Sequence, residues 1–87
     1  MYKVIIKKQV LKNLEKLPLS IQKKFKALVV NLKATGPIRS DWPNFSALSR
    51  NEYHCHLSYK WVACWKHEKK SIVIEVYYVG SRENASY

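Results

Sequence analysis

Two histidines in the second half of the chain, His54 and His56, flank Cys55 in a segment where polar and apolar residues alternate. Alternate residues of a β-strand share a face, so this spacing predicts two neighbouring imidazoles with the thiol pointing the other way. Imidazole changes its charge near neutral pH, so such a pair has the chemistry to move protons or to contact phosphate. A solvated pair without a chemical role is the alternative interpretation.

The same histidines are only a weak indication of a metal site. Structural zinc sites need four ligands, but Cys55 points away from the two histidines and the chain has no CxxC and no spaced Cys/His quartet. Nucleophilic catalysis is also unsupported, because Cys55 and Cys64 lie in apolar runs, where a free cysteine behaves as a small hydrophobe. With two glycines in all, the chain has no glycine-rich loop for a phosphate group. We therefore expect no metal and no cofactor.

A second group of candidate residues follows the last apolar run, where Gly80 precedes the polar segment 81–87. Arg82 is a permanently charged, forked donor that suits phosphate. Tyr87 offers a hydroxyl group and a ring on which a nucleobase could stack. A frayed and solvated terminus is the alternative interpretation, since terminal residues are often poorly ordered.

Aromatic and basic residues are interleaved in this half of the chain, as in Tyr59, Lys60 and Trp61. Rings that stack on bases, beside cations that hold phosphates, are what RNA binding requires. Most of these rings are nevertheless expected in the hydrophobic core. The pattern therefore favours RNA as a ligand without identifying the rings that contact it.

The composition indicates one globular domain over residues 1–87, because the chain is short and 47% of its residues are hydrophobic. Its formal net charge is +10. Most of the excess lies in residues 1–35, which hold nine Lys and one Glu. A surface this basic favours a polyanion, an acidic protein partner, or both.

The sequence shows neither a secretory signal nor the run of about 18 apolar residues that a membrane span requires. We therefore expect a cytoplasmic protein without a membrane partner. In that compartment both cysteines would stay reduced.

The first half of the chain predicts one strand and two helices. Residues 2–6 form a short β-branched run that is typical of a strand. Residues 9–17 and 19–35 carry apolar side chains at helical spacing, and Pro18 separates them because proline disfavours helical geometry in the residue before it. Gly36 is expected to end the second helix.

The second half predicts three strands joined by short turns, at residues 52–57, 60–66 and 72–79. The last of these is apolar almost throughout, which indicates a central position in a sheet. Strand, helix hairpin and three-stranded meander together predict an α+β fold, with both helices on one face of a largely antiparallel four-stranded sheet. The other face is left for function.

Between the two halves, residues 37–50 are rich in turn formers and predict a loop. We expect Trp42, Phe45 and Leu48 to anchor this loop at the edge of the core. A Trp42 ring that stacks on a ligand is the alternative.

In these features the chain resembles the RelE-like toxins of bacterial type II toxin–antitoxin modules, which belong to the RelE/ParE superfamily. The resemblance covers the whole length in the order of elements, the size and the basic charge. Its most specific parts are YHCHLSYKWVACW and IEVYYVGSRENASY. The family commonly has a strand with alternating basic residues, an aromatic and basic strand, and a V-G-x-R/H ending with a nearby Tyr.

The resemblance implies an endoribonuclease that enters the ribosomal A site, cleaves mRNA and thereby inhibits translation. In such enzymes the ribose 2′-OH attacks the adjacent phosphate and leaves a 2′,3′-cyclic phosphate, without a metal. The implied partners are a cognate antitoxin protein and the ribosome with its mRNA and ribosomal RNA.

The resemblance also implies roles for single residues. His54 and His56 stand where better-known members carry lysines, so they would serve as base and acid. Arg82 matches the arginine that stabilises the phosphate, and Tyr87 matches a terminal tyrosine that acts in catalysis or orients the nucleotide. Lys60 is the nearest match to a middle-strand arginine that neutralises the phosphate. A shift of one residue in register would move Lys60 to the other face, so its side stays open.

Two other functions stay open at this point. ParE-like toxins share the fold but inhibit DNA gyrase and cleave no RNA. A non-catalytic, basic RNA-binding module of the same fold would show the same charge and the same elements. The histidine pair and the tail with Arg82 and Tyr87 favour the nuclease.

Overall fold

Five strands form one sheet in the computed structural model, which describes residues 1–85. In chain order they are β1 (Lys3–Ile6), β2 (Ser46–Ala47), β3 (Glu52–His56), β4 (Trp61–His67) and β5 (Val73–Ser81). Their order across the sheet is β1-β5-β4-β3-β2. β1 runs parallel to β5, and the other neighbours are antiparallel. β5 is therefore an inner strand, as its nearly continuous apolar character predicted.

Two helices, α1 (Lys8–Glu15) and α2 (Leu19–Thr35), connect β1 to the rest of the sheet. The buried residues of α2 have the helical spacing that the sequence predicted; they are Ile21, Phe25, Leu28 and Leu32. Within residues 1–85, no helix is long and apolar enough to cross a lipid bilayer.

The second helix ends at Gly36, as predicted, because the backbone turns there into the left-handed region. Its φ is 97°, and its N–H donates to the carbonyl of Leu32 at 3.0 Å. A Cβ at Gly36 would lie 2.9 Å from the Tyr2 ring. Glycine is therefore required here both by the backbone angle and by the close approach of the segment before β1.

The core lies between the helices and one face of the sheet. From the sheet it takes Cys55, Leu57, Ala63, Trp65, Ile74, Val76 and Val79, and from the helices Val10, Leu17, Ile21, Phe25, Leu28 and Leu32. This arrangement confirms the predicted α+β fold, with both helices on one face of the sheet.

The predicted number of strands was too low by one. Ser46 and Ala47, inside the segment predicted as a loop, form β2 and pair with His54 and Tyr53. A two-residue strand is too short to show an alternating pattern, so periodicity cannot reveal it.

Two of the three predicted anchors, Trp42 and Phe45, pack against the core, whereas Leu48 is not among the residues packed there. Trp42 donates its indole N–H to Oδ1 of Asn31 at 2.8 Å. The Phe45 ring stacks on those of Tyr53 and Trp65, with centroids 5.8 and 6.1 Å away.

The limits of the elements differ from the prediction by one or two residues. The largest changes, of two residues, are in α1, which ends at Glu15 instead of at residue 17, and in β5, which ends at Ser81 instead of at residue 79. At the end of α1 the N–H of Leu17 donates to the carbonyl of Leu14 at 3.1 Å, so the last turn is tighter than an α-helix. β4 begins at Trp61, which leaves Lys60 in the preceding turn.

Trp65 of β4 connects three parts of the fold. Its side chain is fully buried, and its indole N–H donates to the carbonyl of Pro37 at 3.0 Å. Its ring stacks on those of Phe45 and Tyr53. The chain that leaves α2 is thereby held against the centre of the sheet.

We predict that Trp65→Phe lowers the free energy of unfolding by about 1–3 kcal/mol beyond the effect of size, because the buried carbonyl of Pro37 loses its donor. Urea denaturation followed by circular dichroism measures the change. Trp42→Phe is the matched control, since its bond to Asn31 joins two partly exposed side chains that water can reach. Equal losses in the two variants would contradict the prediction.

Candidate active site

β3 places His54 and His56 side by side on the sheet face opposite the helices. Their ring centroids are 6.0 Å apart, and the ring planes are inclined by 58°. The shared face agrees with the alternation in the sequence. Each histidine is only 8% exposed, however, so the alternative interpretation of a solvated pair is wrong.

The segment that precedes β3 accounts for part of this burial, because it runs along the outer edge of the strand. Ser46 of β2 lies opposite His54, and its Oγ is 3.1 Å from Nδ1 of that histidine. The N–H of His56 donates to the carbonyl of Pro43 at 2.8 Å. The short strand that periodicity could not reveal is therefore a direct neighbour of the histidine pair.

Strand pairing extends each histidine into a row that crosses the sheet. From β3 through β4 to β5, the rows are His54–Cys64–Tyr78 and His56–Val62–Gly80. Neighbouring strands are about 4.8 Å apart, so Gly80 lies about 10 Å from His56 along its row. Alternation along β5 continues this face from Gly80 towards Arg82.

Arg82 and Lys60 meet at the end of this row. The N–H of Arg82 donates to the carbonyl of Lys60 at 2.7 Å, which joins the residue after β5 to the turn before β4. Both residues line one surface cavity of about 310 Å³. Nζ of Lys60 lies 5.5 Å from the centroid of the Trp61 ring. Lys60, whose side the sequence left open, is thus placed next to Arg82.

Tyr59 is a member of this site that the sequence did not single out. The guanidinium carbon of Arg82 lies 5.3 Å from the centroid of the Tyr59 ring, within cation–π range. Tyr59 is one of the interleaved aromatic and basic residues of the sequence. Only the structure, which brings the turn before β4 next to the end of β5, shows that its ring contacts Arg82.

The two cysteines do not supply a nucleophile. Burial raises the pKa of Cys55 to about 12, and burial likewise raises that of Cys64 to about 12. Each thiol therefore stays protonated at neutral pH, and the thiolate is the reactive form. Cys55 belongs to the core cluster, as predicted, whereas Cys64 is buried on the opposite face of the sheet, next to His54 in its row.

Potential metal ligands are scattered in the described part of the chain. Over residues 1–85, no group of three or more His, Cys, Asp or Glu side chains is arranged to hold a metal ion. The groups that His54, His56, Arg82 and Lys60 bring to this site are imidazole, guanidinium and ammonium groups.

Comparison with known proteins gives matches among solved structures alone. No protein-family profile and no curated protein sequence matches this chain. The RelE–RelB complex of the archaeon Pyrococcus horikoshii superposes with a TM-score of 0.76 at 23% identity, covering 97% of this chain and 98% of that one. The isolated RelE toxin of E. coli gives 0.73 at 18% identity, covering 99% and 89%.

A third match, YoeB in its complex with YefM from Staphylococcus aureus, has a TM-score of 0.70 at 9% identity and covers 94% of this chain and 98% of the other. All three alignments extend over nearly the whole chain. The fold is that of the RelE-like toxins.

In this RelE-like domain, four of the five residues predicted for the site lie within the described residues. His54 and His56 form one group, and Lys60 and Arg82 form a second at the other end of the row. Tyr87 lies outside the described residues, so its role stays a prediction.

The environment of His54 favours the neutral imidazole. Burial lowers its pKa below the usual 6.5, and the neighbouring His56 lowers it further, while a hydrogen bond with the backbone of Ser46 opposes both effects. A neutral ring at pH 7 has a nitrogen lone pair that can accept a proton.

We predict that the RelE-like domain loses stability when the pH falls below about 6.5. Below this pH the unfolded chain binds a proton at His54 more tightly than the folded chain does. The free energy of unfolding therefore rises as the pH rises towards about 6.5, and it reaches its full value above that pH. Each tenfold weakening of proton binding corresponds to about 1.4 kcal/mol. Urea denaturation between pH 5 and 8 measures the slope.

His54→Gln should flatten this part of the profile, because it removes the titrating group. His67→Gln serves as the control, since His67 lies at the other end of the next strand with its Nε2 2.6 Å from the carbonyl of Ser71. An unchanged slope in His54→Gln would contradict the assignment.

Proposed function

We propose that this chain is the toxin of a toxin–antitoxin module and an endoribonuclease that cleaves mRNA on the ribosome. The observation that carries the proposal is the row across the sheet of a RelE-like fold, which joins the buried histidine pair to the cavity of Arg82 and Lys60. The named neighbours RelE, YoeB and YafQ support a toxin role.

The reaction would begin with the ribose 2′-OH. In the proposed step, neutral His54 accepts the hydroxyl proton, and the 2′ oxygen attacks the adjacent phosphorus. The bond to the 5′ oxygen breaks, and protonated His56 donates a proton to that leaving oxygen. The products are a 2′,3′-cyclic phosphate and a 5′-hydroxyl, so no metal is required. The lowered pKa of His54 supports its assignment as the base.

The charge that develops on the phosphate would be met by the cations of the cavity. Arg82 supplies forked N–H donors and Lys60 a compact ammonium group. Their backbones are hydrogen-bonded to each other at 2.7 Å, so the two side chains start from fixed, neighbouring points. Such preorganised charges stabilise a transition state more than mobile ones do.

The basic surface supports the proposed partners. Nine lysines and one glutamate in residues 1–35 favour contact with ribosomal RNA through release of counterions. An acidic or amphipathic antitoxin would bind the same charge. Neighbours of this fold have been solved as complexes with RelB and YefM.

We expect mRNA cleavage to depend strongly on Arg82. With ribosomes stalled on a defined mRNA, Arg82→Ala should lower the single-turnover rate by about 10²–10³-fold, the usual cost of losing one charge-stabilising donor. Lys69→Ala is the matched control, because it removes one exposed positive charge from the turn at the opposite end of β4. Equal losses would indicate a general effect of charge.

The His54→Ala/His56→Ala double variant should lower the same rate by about 10²–10⁴-fold, the usual contribution of acid–base catalysis. Circular dichroism checks that the variant folds, and mapping of RNA ends checks for 2′,3′-cyclic phosphates. Growth arrest with intact mRNA and a DNA-damage response would instead identify a gyrase inhibitor. Intact mRNA without growth arrest would identify a non-catalytic RNA-binding module.

A further inference from the structure

Tyr59 is an aromatic residue that the core of the protein does not use. It lies in the turn between β3 and β4 and is 82% exposed. It is not among the residues that form or flank the core cluster. Its ring contacts the Arg82 guanidinium and otherwise faces solvent, where it is accessible to a ligand.

The turn that carries Tyr59 is fixed by backbone hydrogen bonds. The N–H of Leu57 donates to the carbonyl of Trp61 at 2.8 Å, and that of Ser58 to the same carbonyl at 3.3 Å. The bond from Arg82 to the carbonyl of Lys60 ties the turn to the end of β5. The backbone of this turn is therefore tied to that of Arg82, and the Tyr59 ring lies 5.3 Å from the Arg82 guanidinium carbon.

The cavity beside this turn combines two rings with two cations. Its lining residues are Tyr59, Lys60, Trp61, Ser81, Arg82 and Glu83. Its volume of about 310 Å³ is at the lower end of the range for small-molecule sites, about 300–1,000 Å³. One unpaired nucleotide has the chemistry that such a cavity suits, since its base stacks on a ring and its phosphates pair with cations.

We propose that Tyr59 is a stacking platform for one unpaired nucleobase of single-stranded RNA, with Arg82 and Lys60 contacting the flanking phosphates. The inference rests on the proposed function and adds the residue that positions the base. The ring also holds the Arg82 guanidinium through the cation–π contact at 5.3 Å. Base and phosphate are thereby recognised from two adjoining segments, the turn that carries Tyr59 and Lys60 and the residue that follows β5.

Binding of a short RNA that cannot be cleaved tests this inference. The probe is a fluorescent, unstructured hexanucleotide with 2′-O-methyl groups, which lacks the attacking hydroxyl. Fluorescence anisotropy at low salt should show that Tyr59→Ala weakens binding by about 5- to 150-fold, the range for loss of one base–aromatic stack. Tyr59→Phe and Tyr59→Trp should keep the affinity, because both retain a ring.

An abasic nucleotide at the stacked position separates stacking from charge. It should weaken binding to the unaltered protein and have no further effect on Tyr59→Ala. The salt dependence should be unchanged in Tyr59→Ala, whereas Arg82→Ala should reduce the slope by about 0.7 for one phosphate contact. Ile72→Ala is the control, because Ile72 is 64% exposed in the turn at the opposite end of β4.

Full affinity in Tyr59→Ala, a loss shared by Tyr59→Phe, or an abasic site without effect would each overturn the inference. Because the probe cannot be cleaved by 2′-OH attack, absence of mRNA cleavage on ribosomes leaves this readout intact. A failure of the proposed nuclease activity and a failure of the stacking platform are therefore distinguishable.

Discussion

The pairing of β5 with β1 on one side and β4 on the other is the constraint on which both the core and the candidate site depend. One set of β5 residues, Ile74, Val76 and Val79, faces the helices and closes the core. Further along, Gly80 and Arg82 continue the opposite face towards the cavity. The burial of apolar side chains on one face of β5 thus fixes the position of Arg82 on the opposite face. A shift in the register of β5 would disturb both at once.

Burial also determines what the histidines can do. Burial is the main cause that lowers the pKa of His54 and so favours its neutral form, and the hydrogen bond with the Ser46 backbone opposes this effect. The segment containing Pro43 and Ser46 contacts both histidines. The loop that Trp42 and Phe45 anchor therefore contributes to the surroundings of the histidines as well as to the fold, because it shields the edge of β3.

Most of the fold was predictable from the sequence, because the spacing of apolar residues along a helix or strand indicates which side chains are buried. The spacing of apolar residues located α2, and the alternation around Cys55 placed the two histidines on one face. The features that were not predicted leave no such pattern in the sequence. β2 is too short to alternate, and the contact between Tyr59 and Arg82 joins two turns far apart in sequence. The burial of His54 and His56 likewise depends on packing between distant segments. Histidine is a polar residue type, so the sequence suggested exposed side chains where the structure has buried ones.

The parallel pairing of β1 with β5 has a consequence for biosynthesis. β1 leaves the ribosome early, but Lys3 pairs with Val73, so its partner is the last of the described strands to be made. The two helices then have no complete sheet to pack on until β5 emerges, and loop closure over this distance is slow. Arg82 is added later still. A nascent chain therefore lacks the cavity formed by Lys60 and Arg82 until the residues that follow β5 have been added.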